Sequence, residues 1–126
     1  MAHRSRLGAI VVDCRTEDLS EALAFWTAAL GAPGTIDPDG KYAVLEGGDG
    51  LPKLLLQAVD HDSRVHLDIE TDDIPAEVAR ITALGGRPVA EFPRWTVMEA
   101  PTGHRFCVVR PQRDGLEEDG TLWNAD

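Results

Sequence analysis

The chain has 126 residues, the size of one domain or of two small halves fused, and its 43% hydrophobic content supplies a core and excludes a disordered chain. Acidic residues number 22 against 12 basic ones, a net charge of −10, so the chain repels phosphate backbones and anionic membranes; nucleic acid and membrane are excluded as first partners. The two cysteines, Cys14 and Cys107, form no CxxC pair, no apolar leader opens the chain and no apolar run reaches membrane-spanning length, so a cytoplasmic single domain is expected.

Leu7–Asp13 is a short run of branched apolar residues and reads as a strand. A helix is predicted over Leu19–Leu30, where Leu19, Ala22, Leu23, Phe25, Trp26 and Leu30 make one apolar face. Glu17, Asp18 and Glu21 suit its N-terminus, and Gly31 with Pro33 stops it. Strands follow at Gly34–Ile36, Lys41–Glu46 and Lys53–Val59, separated by turns at Asp37-Pro38-Asp39-Gly40 and Gly47-Gly48-Asp49-Gly50.

The pattern then repeats. Val65–Thr71 is a strand, and Asp72-Asp73 precedes a helix over Ile74–Leu84 with Ile74, Val78, Ile81 and Leu84 on one face. Strands are predicted at Arg87–Glu91, Arg94–Ala100 and Arg105–Val109, the last two joined by Pro101-Thr102-Gly103-His104. Strand, helix and three strands thus occur twice, about 7–60 and 64–110. Such βαβββ halves cannot bury themselves alone; the expected fold is α+β, a curved mixed sheet around a pocket with the helices outside. Residues 111–126 are acidic, show no period and read as a tail with one apolar anchor, Trp123.

Strand alternation singles out the candidate functional residues. In Val65–Thr71, Leu67 and Ile69 share the face that meets the helices, and His66, Asp68 and Glu70 share the other. Gln57, Trp95, Glu99, Arg105 and Cys107 fall on equivalent faces of their strands. A sheet face of this mixture either meets water or lines a pocket for a small ligand; an exposed tryptophan favours the pocket. Trp26 is assigned to core packing, Cys14 to an inert buried thiol, and His3 and His61 are given no role.

Four stretches, LGAIVVDCRTEDLSEALAFWTAALG, LLLQAVD, VHLDIETDDIPAEVARITALGG and WTVMEAPTGHRFCVV, resemble the vicinal oxygen chelate superfamily, in particular its small bacterial glyoxalase-like proteins. The resemblance runs from about Leu7 to Val109. It implies a curved sheet around a pocket, homodimers, and in the enzymes a divalent metal that chelates neighbouring substrate oxygens. The ligand positions it implies fall here on Ala9, Gln57, His66 and Cys107, and Ala9 cannot ligate. The expectation is therefore no bound cofactor, with a divalent metal on His66 and Gln57 as the alternative. Without a metal, His66 and Asp68 are the acid–base candidates, and Gln57, Trp95, Cys107 and Glu99 the ligand-binding ones. The function expected is binding of a small oxygenated metabolite, with lyase or isomerase chemistry; the alternative is sequestration of a small molecule without catalysis, as in bleomycin-resistance relatives. A domain acting only through protein contacts of its acidic tail is a third reading.

Overall fold

The structure, a computed structural model, describes residues 2–47 and 52–124. From Gly48 on, the predicted Gly47–Gly50 turn lies outside them. The chain divides into two compact units, Ala9–His66 on one hand, and the residues up to Gly8 together with Leu67 onward on the other.

The first unit takes β1 (Ala2–Arg15) from Ala9 on, then α1 (Ser20–Leu30), β2 (Gly34–Ile36), β3 (Tyr42–Leu45) and β4 (Lys53–Val59). β2, β3 and β4 form an antiparallel meander, and β4 returns parallel to β1, with Val11 opposite Leu55 and Asp13 opposite Gln57. A parallel return needs a crossover, and α1 provides it. The core consists of Leu19, Ala43, Leu45 and Leu56, with Val12, Leu23 and Trp26 packed against it. Trp26 thus belongs to the core edge, as its place on the apolar helix face requires. Phe25 and Leu30 do not: they are exposed, Phe25 edge-on to Trp26. The predicted stripe was wider than the sheet edge it covers. α1 ends at Gly31, whose φ of 65° is the left-handed conformation glycine adopts without strain.

The second unit contains β5 (Arg64–Thr71) from Leu67 on, α2 (Ile74–Ala83), β6 (Arg87–Glu91), β7 (Trp95–Glu99) and β8 (Arg105–Val109). The plan is repeated: an antiparallel β6–β7–β8 meander, then β8 parallel to β5. Ile81, Met98 and Val108 form its core, lined by Ile69, Ile74, Val78 and Phe106. Asp73 caps α2 by accepting from Ala76 N at 3.1 Å, and Pro75 occupies the first turn, where no donor is needed. β6 carries a bulge between Pro88 and Ala90, consistent with a proline that cannot donate to the ladder.

The segment without sequence period is also folded. α3 (Leu116–Asp119) leads into β9 (Thr121–Asn124), which pairs antiparallel with the start of β1, Ala2 opposite Asn124 and Ser5 opposite Thr121. Trp123 donates to Ser5 Oγ at 2.9 Å, and the Arg80 guanidinium lies 3.9 Å over its ring. His3, given no role from sequence, is buried and donates from Nε2 to Glu77 Oε1 at 2.8 Å. No helix among the described residues is long and apolar enough to cross a membrane.

Candidate functional site

In the first unit, the polar side chains gather at the end of β1. Asp13 follows the apolar Ala9 and Val11 on one strand face and is 2% exposed. A buried carboxylate must be satisfied. Its Oδ2 accepts from His66 Nδ1 at 3.1 Å, with Arg64 Nε at 3.5 Å and His61 Nε2 at 3.7 Å. Because a carboxylate only accepts, Nδ1 of His66 carries the proton of this bond. Register puts Gln57 beside Asp13 and Tyr42 beside Gln57, and Gln57 Nε2 donates to the Tyr42 hydroxyl at 3.1 Å. Tyr42, Gln57 and Asp13 thus form a polar row across three strands. Next to it lies an open depression of about 680 Å³, lined by Arg15, Lys41, Gln57, Val59 and His61 among others.

The sequence singled out Gln57 and His66, on a face shared with Asp68 and Trp95, and missed Asp13. The signal was legible in type, a carboxylate ending an apolar strand face; what strand alternation could not supply was its partner 53 residues away. His61, set aside from sequence, also stands at this carboxylate. Burial raises the thiol pKa of Cys14, the neighbouring Asp13 charge adds to that, and a hydrogen bond from the Gln57 backbone opposes it, so this thiol is poorly ionised.

In the second unit, register orders the candidate residues in rows across the strands. Asp68 lies opposite Cys107 and Cys107 opposite Val97; Glu70 lies opposite Val109 and Val109 opposite Trp95. Glu99 is opposite both Arg105 and Arg87. Trp95 is 38% exposed and stacks on Phe92 at 4.5 Å between ring centroids. Glu99 accepts from Arg105 Nε and Arg87 Nε, each at 3.0 Å, and these bonds, Arg105's first, hold its carboxyl below the ordinary range.

The ligand set implied for a divalent metal fits these residues poorly. Ala9 has no donor atom, and Gln57, whose Nε2 donates to Tyr42, offers only a neutral carbonyl oxygen, a weak donor. Among the described residues, neither unit by itself groups three metal-ligating side chains, which is the number a closed or catalytic zinc site starts from.

Comparison with known proteins follows the same lines. No curated protein matches the chain. Its fold is similar to that of a hypothetical protein from Bacillus halodurans C-125, at 14% identity over 88% of this chain and 97% of that one, with a TM-score of 0.59. It is also similar to a Mn(II)-bound glyoxalase from Novosphingobium aromaticivorans, at 18% identity over 91% of this chain and 43% of that one, with a TM-score of 0.58. A catechol 2,3-dioxygenase matches at 21% identity over 86% and 43%, with a TM-score of 0.50. The family description Glyoxalase-like domain aligns with residues 9–109, from the first apolar strand to the last strand of the repeat. With both βαβββ units inside that alignment, the chain belongs to the glyoxalase-like domain family of the vicinal oxygen chelate superfamily.

Proposed function

We propose that the protein binds a small oxygenated metabolite and moves a proton on it, with His66 as the group that takes and returns the proton. The observation that carries this reading is the 3.1 Å bond from His66 Nδ1 to the buried Asp13 carboxylate. That bond fixes the ring's tautomer and orientation and stabilises the imidazolium that forms when Nε2 takes a proton. The chemistry this suits is abstraction from a carbon next to a carbonyl. The carbon's electron pair passes to the carbonyl oxygen; the proton then returns to the adjacent carbon, an isomerisation, or a leaving group departs, a lyase step. Gln57 and Tyr42 offer amide and phenol groups to substrate oxygens. In the second unit Asp68 is a further acid–base candidate, with Cys107, Trp95 and Glu99 as ligand contacts.

A non-catalytic binding protein is the second reading, favoured by the exposed Trp95–Phe92 stack, a platform for a planar ligand. A divalent metal joins either reading, by likeness to the Mn(II)-bound glyoxalase of similar fold, and such an ion would polarise a substrate oxygen. A cytoplasmic homodimer completes the proposal. Its support is the pair of unbridged cysteines and the exposed Phe25 and Leu30 of α1.

The test uses the methylglyoxal–glutathione hemithioacetal as probe, on untagged protein of measured metal content. Expected are probe-induced NMR shifts at Tyr42, Gln57 and His66, and turnover that falls at least about a hundredfold in Asp13→Asn, whose amide cannot hold the same tautomer. Shifts without turnover select the binding reading. Turnover unchanged in both Asp13→Asn and His66→Gln would remove His66 from the chemistry.

A further inference from the structure

The residues outside the family alignment, those before Ala9 and those after Val109, converge on one carboxylate of the second unit. Glu70 stands on the face of β5 that also carries Asp68, away from α2 and its core. It is 0% exposed, and its row partner Val109 is 9% exposed. One row along, Asp68, Cys107 and Val97 are only half-buried. Since the core lies on the other face, something else covers the Glu70 row.

The cover is residues 111–119. Gln112 N donates to Glu70 Oε2 at 2.7 Å, and Arg6 Nε donates to Oε1 at 2.5 Å. Arg6 Nη2 continues to the carbonyls of Arg113 and Asp114, at 3.1 and 2.7 Å, and Arg113 Nη2 donates back to the Leu7 carbonyl at 3.2 Å. A Cβ on Gly8 would sit 2.9 Å from Glu70 Oε2, so only glycine lets β1 pass this close. Beyond the crossing, Leu116 is buried and β9 locks onto β1. Trp95, at the far end of the same row, stays 38% exposed, so the cover reaches the β5–β8 part of the row and stops short of β7.

We propose that Glu70 is the anchor of a strap and not a ligand group, and that residues 111–119 form a fixed wall closing this end of the sheet face. A ligand then reaches the Asp68–Cys107–Val97 row and no further. Successive rows are about 7 Å apart along a strand, so the wall excludes ligands longer than the open rows and selects short ones. The inference rests on the reading of this face as ligand-facing, made under the proposed function.

Cys107, one row from the wall, reports on it. In a Cys14→Ser background it is the single thiol of the chain. Its alkylation is followed with N-ethylmaleimide and with the bulkier fluorescein-5-maleimide, which share one chemistry and differ in size. Two variants loosen the strap, Glu70→Gln, and Gln112→Pro, which deletes the donating N–H without touching the buried carboxylate. Expected is a rise of about tenfold for the bulky reagent and less than about twofold for the small one, with hydrogen exchange faster at 112–119 and unchanged in β7 and β8. No change with either reagent in Gln112→Pro overturns the wall. So does equal acceleration of both with faster exchange through β7 and β8, which would make Glu70 an ordinary member of the fold's interior. Labelling needs no metabolite, so its failure is distinct from failure to bind the hemithioacetal.

Discussion

Replacing Glu77 by Gln separates a buried ionic network from simple packing. Glu77 is 0% exposed and accepts from His3 Nε2, Arg80 Nε and Arg80 Nη2, each at 2.8 Å. Glutamine keeps the shape and one acceptor, but turns an NH₂ group toward donors that then lack a partner. Breaking one side of a buried pair costs roughly 3–5 kcal/mol; the retained acceptor, and the 25% exposure of the Arg80 side chain, which lets water assist, bring the expected loss to about 2–3 kcal/mol near neutral pH. Burial alone would push the Glu77 carboxyl up, but the bonds from Arg80, His3 and Ser5 outweigh it and hold it below its ordinary 4.5. A carboxylate depressed on folding stabilises fully above its unfolded pKa and loses that contribution as pH falls through the folded one. The gap between wild type and variant should therefore be full near pH 7 and narrower at about pH 3. Urea unfolding followed by tryptophan fluorescence at the two pH values measures it. A gap that is the same at both, or smaller than about 0.5 kcal/mol at pH 7, would refute the network's role.

Met98→Ala empties a fully buried position between Ile81 and Val108 and should cost about 2–5 kcal/mol in chemical denaturation; a loss under about 1 kcal/mol would mean the second core is not packed as described. Asp73→Ala removes the cap on Ala76 N and should cost about 1 kcal/mol, with faster amide exchange confined to the first turn of α2; a neutral result, or exchange spread over the whole helix, would contradict that assignment.

The repeat was legible because its elements bury apolar side chains at fixed periods. Ile74, Val78 and Ile81 recur at helical spacing, and Leu54 and Leu56 alternate along β4, so each names its own face. Register pairs Asp68 with Cys107, Cys107 with Val97 and Glu99 with Arg105, as alternation along each strand allows. The first residues of β1 were not legible. His3, Ser5 and Arg6 are polar, and what buries them is Glu77, Trp123 and Glu70, far away in sequence. Burial of polar groups against polar groups leaves no apolar period to read. β9 was hidden for the same reason, since its strand character comes from β1 and not from its own four residues. Asp13 was visible and its meaning was not, because a carboxylate's role depends on which donors reach it.

That β1 is divided between the units at Gly8 and Ala9 has a consequence for synthesis on the ribosome. Ala9–His66 is continuous, so everything it needs to fold emerges in one stretch. The first half of β1 precedes that stretch and is completed after it, since Glu70 and Glu77, which satisfy its side chains, follow at mid-chain and β9 follows later still. At roughly 5–20 residues per second it waits on the order of ten seconds without its partners. An apolar strand held open that long would invite misassociation; Ala2-His3-Arg4-Ser5-Arg6 is polar and basic, and stays solvated until its partners emerge.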